Sequence, residues 1–525
     1  IPGPAWWPPS TPAGRARSPT FPAAPSTPWR RRARGGSGSS PRSAPAYPSA
    51  PTRSAPNSSR PSSTTTPTTT ASSPPAGTTA FSSTCRASCS RGCARPGSPR
   101  PNGSAAAPTP TPTASSATAA RGRRASPTMA ACSPRSVRRP RRPDPMRFDR
   151  DEYETRLAHL RGAMVRRGFD GMLLFAPESH YWATGYDTFG FCFFQVLVVT
   201  PRDLVLLTRS ADLRQARLTS LIEDVRVWKD GQGVDPTESL PSLLAELGLE
   251  GGRIGVETDT QGLTALNWRR LEARLAGVAV LEDASDVAPA LRLVKSEAEI
   301  AHVRAAAEMA DAAFEAALPL IKPGADEAEI LAAMQGEVLR LGGDYPGNEF
   351  IIGSAERALL CRYFSGRRTL DANDQLTLEW AGASARYHAA LMRTVVIGEP
   401  RPEHRAMHAA AKDALLACEA ALKPGEPMGE VFRAHRNALD AAGYGHARLN
   451  ACGYSLGARF TPSWMDPQMF YEGAETMMDA GMVFFLHMIL MDSDTGAAMT
   501  LGRTSLVTQG GAEPLSRLPL ELTVV

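Results

Sequence analysis

The residues best able to do chemistry lie in one stretch, Glu379 to Thr394, which reads Glu-Trp-Ala-Gly-Ala-Ser-Ala-Arg-Tyr-His-Ala-Ala-Leu-Met-Arg-Thr. It holds a carboxylate, Glu379, and an imidazole, His388, the two side-chain types that most readily exchange protons near neutral pH. For them to act together the chain between them must fold back. Leu376, Leu378 and Trp380 alternate with Thr377, Glu379 and Ala381, which is the period of a half-buried strand. The small residues around Gly382 and Ser384 predict a turn, and Tyr387 to Ile397 resumes an extended pattern rich in Leu, Val and Ile. If the second arm pairs back on the first, parity puts His388, Ala390 and Met392 on one face. The register then places Ala390 near Glu379 on that face. Spacing alone also fits a surface Glu and a core-edge His with no joint role.

The chain of 525 residues is long enough for two or three domains. Its net charge of +5 conceals a division. Residues 1–145 hold 21 Arg, no Lys and the single acid Asp144, so the 58 basic and 53 acidic residues of the chain leave −15 for the remainder. Those first residues are Ser, Thr, Pro, Ala, Gly and Arg, without apolar periodicity, a composition that cannot offset the entropy of ordering. They are expected to be a low-complexity, disordered leader. Because the chain opens on Ile1 and protein-like sequence begins at Met146, the leader is further expected not to be native coding sequence. Cys85, Cys89 and Cys93 lack the partners of a zinc pattern. Cys192, Cys361, Cys418 and Cys452 are scattered through apolar settings, which predicts free thiols in a reducing compartment. No apolar run reaches the roughly 18 residues a bilayer requires. A cytoplasmic protein that engages neither membrane nor nucleic acid is expected.

Asp149 to Gly168 reads as an amphipathic helix, and the strand-like and helix-like segments alternating to about Val294 predict one α/β domain, residues 146–294. A second domain, 295–525, opens at Lys295-Ser296-Glu297-Ala298-Glu299, where Ser296 and Glu299 have the spacing of a capping box. Two helices lead to the Glu379 hairpin, two more follow, and the segment from Leu449 onward is mostly strand-like.

This order and its motifs resemble the pita-bread hydrolases: methionine aminopeptidase, proline dipeptidase, aminopeptidase P and creatinase. Leu291 to Ile300 looks like that family's domain junction, and Gly453-Tyr454-Ser455-Leu456-Gly457 like its glycine loop. The resemblance implies a creatinase-like α/β N-terminal domain and an α+β pita-bread catalytic domain, commonly dimeric. Its metallopeptidases hold two metal ions with five side chains. The positions equivalent to those five are Glu379, Ala390, Tyr454, His487 and Gly502, and Arg362 stands where a substrate-binding His is expected. Ala390 and Gly502 offer no ligand atom, whereas hard divalent ions need several oxygen donors. The catalytic His of creatinase is also replaced, by Arg362. The motifs come nearest to the ectoine hydrolase branch, through Glu379, Ala381-Gly382, Arg386-Tyr387-His388, Arg393-Thr394 and Gly453-Tyr454-Ser455. In the first domain Thr184-Gly185-Tyr186-Asp187 adds to that likeness, while Thr461-Pro462-Ser463-Trp464-Met465-Asp466 departs from the branch's Pro-Pro-Asp-Trp-Gly.

The expectation is a metal-independent hydrolase of a small C–N compound, an ectoine-like cyclic amidine or amide. Glu379 serves as base or nucleophile and His388 or His487 as proton shuttle. Arg362 and Tyr363 bind substrate, Arg362 through a fork on a carboxylate, and Tyr454 donates to developing charge. Two alternatives stand beside it. Glu379, His388 and His487 amount to a two-imidazole, one-carboxylate set that suits a single divalent metal in an Xaa-Pro peptidase-like enzyme. The other is a non-catalytic binding module on the same fold.

Overall fold

The computed structural model describes residues 146–362 and 366–525, so the leader and Tyr363 lie outside the described residues. The first domain runs α1 (Arg150–Arg166), β1 (Gly171–Leu174), α2 (Pro177–Thr184), β2 (Val196–Val199), β3 (Leu204–Arg209), α3 (Leu213–Thr219) and β4 (Asp224–Trp228). It continues with α4 (Leu240–Glu246), β5 (Arg253–Val256), α5 (Ala265–Leu275), β6 (Val280–Asp283) and α6 (Val287–Leu293). Among the described residues its strands form one six-stranded sheet, ordered β4-β3-β2-β1-β5-β6. β1, β5 and β6 run parallel, and β2 is antiparallel to both β1 and β3.

The second domain begins with α7 (Glu297–Ala317) and α8 (Glu327–Arg340), then β7 (Ile351–Ser354), β8 (Asp374–Ser384) and β9 (Tyr387–Ile397). The helices α9 (Pro402–Ala421) and α10 (Met428–Ala441) follow, then β10 (Gly453–Leu456), β11 (Met465–Met469), β12 (Val483–Asp492), β13 (Ala497–Thr508), β14 (Gly511–Pro514) and β15 (Thr523–Val524). Their sheet has the path β11-β10-β12-β13-β9-β8-β7, with β14 on β13 and β15 on β9. The capping box opens α7 as expected: the Ser296 hydroxyl accepts from the Glu299 backbone, and the Glu299 carboxylate accepts from the Ser296 backbone. Cys418 and Cys452 are buried free thiols as expected, but Cys192 is exposed and Cys361 half-buried. No described helix is long and apolar enough to cross a membrane.

The central hairpin is longer than the sequence suggested. β8 runs straight through Gly382 and turns only at Ala385 and Arg386, both with positive φ (47° and 66°). This corrects the turn expected around Gly382 and Ser384. Gly382 is small because α7 crosses it: a Cβ there would lie 1.9 Å from the Ala306 carbonyl oxygen. Trp380, on the same face, donates to the Ala310 carbonyl at 2.8 Å and stacks on Phe314 at 5.3 Å. Gly382→Ala should therefore push α7 off the sheet and cost about 3 kcal/mol or more, the upper range for overpacking. Denaturant melts would measure it, and a loss below ~1 kcal/mol would show that the helix yields freely.

The non-glycine turn is held from outside, because two residues at positive φ are strained unless their surroundings fix them. Tyr181 of the first domain donates to the Ala385 carbonyl (2.8 Å), and Asp344 accepts from the Arg386 backbone (3.0 Å). The Arg386 guanidinium pairs with Asp187 at 2.8 Å and covers the Phe460 ring. Tyr387 donates to Glu299 at 2.5 Å. Tyr181, Asp187 and Arg386 thus work as a brace that seats the hairpin on the first domain.

Candidate active site

Strand register places the side chains. Glu379 pairs with Met392, Ala381 with Ala390 and Ala383 with His388, so these six share the face away from α7. The shared face agrees with the parity expected from sequence, and Ala390 stands near Glu379, opposite Ala381, two pairs nearer the turn. The register continues from Met392 to Gly502 on β13 and from Gly502 to His487 on β12. Glu379 and His487 therefore stand in one transverse row with Met392 and Gly502 between them. Tyr454, opposite Phe485 on β12, reaches over that row. Its ring lies 5.6 Å from that of His487, and its hydroxyl donates to Glu379 Oε1 at 3.3 Å.

A third residue sets the direction of that hydrogen bond. The Trp464 indole Nε1 lies 2.8 Å from the Tyr454 oxygen. An indole only donates, so the Tyr454 oxygen accepts from it and turns its own O–H toward Glu379. Burial raises the Glu379 carboxyl to about 7, against the opposing pull of the Arg362 charge and the Tyr454 hydrogen bond. Burial also holds Tyr454 well above its ordinary value, so it stays a donor. His487 is driven down to about 3 by burial, helped by His435 and Arg362, and its Nδ1 has no hydrogen-bond partner among the described residues. A carboxyl poised near neutrality, a fixed phenol donor and a neutral imidazole can carry out general acid–base chemistry.

His388 is used differently from the expectation. Its Nε2 accepts from the Gly347 backbone at 2.9 Å, which leaves Nδ1 to donate to the Gly457 carbonyl at 3.3 Å. Burial lowers it to about 4. With both nitrogens engaged and no charge near neutral pH, it can neither shuttle protons nor ligate a metal. It ties the glycine loop to the hairpin. Arg393 likewise joins strands, donating to the Met392 and Gly502 carbonyls at 2.8 Å each. Arg362 is exposed, with its charge felt at Glu379, Tyr454 and His487.

Sequence reasoning missed two residues. Trp464 had a signal, since a buried indole N–H needs an acceptor, but it was read only as part of a departure from the branch pattern. His435 on α10 is 1% exposed, and neither ring nitrogen has a hydrogen-bond partner among the described residues. Nothing in its spacing marked it.

Comparison with known proteins follows the same lines. Residues 156–294 match the Creatinase/Prolidase N-terminal domain, and residues 301–509 match Metallopeptidase family M24. The chain has the fold of the pita-bread superfamily, a creatinase-like N-terminal domain followed by a pita-bread C-terminal domain. It is 27% identical over 399 residues to an ectoine hydrolase from Halomonas elongata, covering 72% of this chain and 98% of that one. It is 23% identical over 369 residues to an Xaa-Pro dipeptidase from Pyrococcus furiosus, covering 70% and 99%. Among solved structures, a prolidase from Thermococcus sibiricus superposes with a TM-score of 0.65 at 19% identity, covering 72% of this chain and all of the other. That last likeness bears on the fold alone.

Pita-bread metallopeptidases carry divalent ions, so the donor set has to be tested against that expectation. Gly502 cannot be exchanged for a ligand without rearrangement: a Cβ there would lie 2.7 Å from the Leu486 carbonyl oxygen and 2.9 Å from the Phe485 ring. Ala390 has no donor atom, and both His388 nitrogens are taken. Among the described residues no three His, Cys, Asp or Glu side chains are grouped so as to hold an ion. The residues present do not fit the dinuclear centre.

Proposed function

We propose that this pita-bread protein hydrolyses a C–N bond of a small non-peptide compound, an ectoine-like cyclic amidine or amide, without a metal ion. The observation that carries the reading is the Trp464–Tyr454–Glu379 chain, in which a carboxyl that burial raises to about 7 stands in place of metal ligands. Ionised Glu379 takes a proton from water as the water oxygen attacks the carbon of the C–N bond. The same proton then goes to the departing nitrogen as that bond breaks. A direct attack by the carboxylate, followed by hydrolysis of the acyl intermediate, uses the same residue. The neutral His487 ring accepts a hydrogen bond, the Tyr454 O–H turns from the newly protonated Glu379 to developing negative charge, and Arg362 (with Tyr363) takes a substrate carboxylate. The working form is read as a cytoplasmic homodimer, on the family resemblance.

A second reading rests on the Xaa-Pro dipeptidase relatives: a peptidase-like enzyme using one divalent ion. With His388 engaged, only Glu379 and His487 of the three expected ligands remain to hold it. Elemental analysis of gently purified protein separates the readings, and sub-stoichiometric metal is the expected result. Two ions per chain would overturn the proposal. One ion that disappears in His487→Ala would establish the second reading. Ectoine, related cyclic amidines, N-acyl diamino acids and Xaa-Pro dipeptides form the substrate screen, run with and without chelator.

A further inference from the structure

Open α/β sheets take ligands in the crevice outside the carboxyl ends of their parallel strands. In the first domain the three parallel neighbours β1, β5 and β6 end at Leu174, Val256 and Asp283. The segments that follow them, 176–179, 257–261 and Ser285, line a single cavity of about 540 Å³. That volume falls within the ~300–1,000 Å³ of small-molecule sites. Arg292, Arg459, Thr461 and Asp466 form its other wall. Glu379, Tyr454 and His487 are not among its lining residues.

The charges in this wall are incompletely matched. Arg292 is 4% exposed and pairs with Asp466 at 2.5 Å, yet its buried Nε has no hydrogen-bond partner among the described residues. Arg459 approaches Glu178 at 3.5 Å and Asp466 at 3.6 Å. Both distances exceed the roughly 2.7–2.9 Å of a charge-assisted hydrogen bond, and among the described residues only Nε is engaged, donating to the Ser463 carbonyl at 3.4 Å, so the Nη groups keep donors for a ligand. Glu178 Oε1 accepts from the Phe460 backbone at 3.1 Å, and among the described residues no hydrogen bond engages its other oxygen. Asp259 is exposed on the cavity wall. A plain anion entering here meets the carboxylates of Glu178, Asp259 and Asp466, and a plain cation meets two guanidinium groups. Only a ligand carrying both charges gains at each end. We infer that this cavity binds a small zwitterion of amino-acid type, its carboxylate on Arg459 and its ammonium between Glu178 and Asp259, independently of the chemistry at Glu379.

Calorimetric titration of the full chain tests this with glycine, L-serine and L-proline as zwitterions, and with acetate and methylammonium as single-charge probes. At least one zwitterion should bind saturably, and both single-charge probes about tenfold more weakly, the worth of one charge-assisted contact. Arg459→Gln and Asp259→Asn should each weaken binding by a similar factor. Should Arg459→Gln fail to fold, Gln261→Trp obstructs the cavity from an exposed lining position and should abolish binding. Glu379→Gln should leave it unchanged. Absence of saturable binding by every zwitterion overturns the inference. So does binding that survives Gln261→Trp, and binding lost in folded Glu379→Gln would place the zwitterion in the candidate active site instead.

Discussion

Glu379→Gln is expected to lower turnover by about 10²- to 10⁴-fold, the usual cost of removing a general base, with the fold intact. The amide keeps the volume and can still accept from Tyr454, so no cavity opens and no buried donor is orphaned. Stability should even rise in alkaline buffer. In the folded protein the carboxyl titrates at about 7 because burial penalises its ionised form. The folded state therefore holds its proton up to a pH at which the unfolded chain, near 4.5, has long released it. Above about pH 7 the native state bears the full cost of a buried charge, on the order of 3 kcal/mol for a shift of this size, and Gln removes that cost. For the wild type, kcat/KM should climb as pH rises through about 7, where the base ionises. Kinetics on any substrate found in the screen, with denaturant melts at pH 8, check both statements. A folded variant with near-full activity would remove Glu379 from the mechanism. A variant that unfolds would make it a structural partner of Tyr454, and the site would have to be sought elsewhere.

How far the sequence disclosed this arrangement depended on the range of each interaction. Period-2 alternation is local, so it revealed β8 and β9 and put Glu379 and His388 on one face correctly. Ser296 and Glu299 are three residues apart, and the capping box followed from that. The turn was misplaced because two signals compete at Gly382. Glycine marks turns, but here it marks the crossing of α7, whose Ala306 lies 76 positions away in the chain. The positive-φ residues at the real turn are Ala and Arg, which carry no turn signal and are held by Tyr181, Asp187 and Asp344.

The candidate site was legible in its residue types and much less in their roles. His388 looked like a catalytic imidazole because imidazole often is one. What decides its role is the pair of backbone partners, Gly347 and Gly457, and neither could be read from spacing. The family likeness made the ligand losses at Ala390 and Gly502 visible. The reason Gly502 admits no side chain, the Phe485 ring and Leu486 carbonyl beside it, needed the register of β12 on β13. Trp464 was in view throughout, but its donation to Tyr454 joins two segments that only the fold brings together.

The buried imidazoles of the chain predict a steep loss of stability in acid. His180, His388, His404 and His435 are lowered to about 4 and His487 to about 3, in each case chiefly by burial. None is more than 7% exposed. An unfolded His takes its proton near pH 6.5, whereas these remain neutral until about 4. Between those values the unfolded state binds more protons, so stability is complete above about pH 6.5 and falls as pH drops toward 4. Glu379 works in the opposite direction, because its folded value is raised and the native state gains protons first; Glu257, raised by burial, does the same. Five imidazoles against at most two carboxyls leave about three excess protons on the unfolded chain, or roughly 4 kcal/mol per pH unit. Set against a typical total of about 5–15 kcal/mol, that is enough to bring cooperative unfolding within reach of pH 5 to 4.5. Guanidinium melts at half-unit steps from pH 7.5 to 4.5 measure the slope. In His388→Gln, which keeps an acceptor for Gly347 and a donor for Gly457, the slope should fall by about 1.4 kcal/mol per unit. A free energy of unfolding that stays flat between pH 6.5 and 4.5 would mean that these rings are already charged, or reach water, in the native state. His487 would then lose its place as a neutral hydrogen-bond acceptor beside Tyr454.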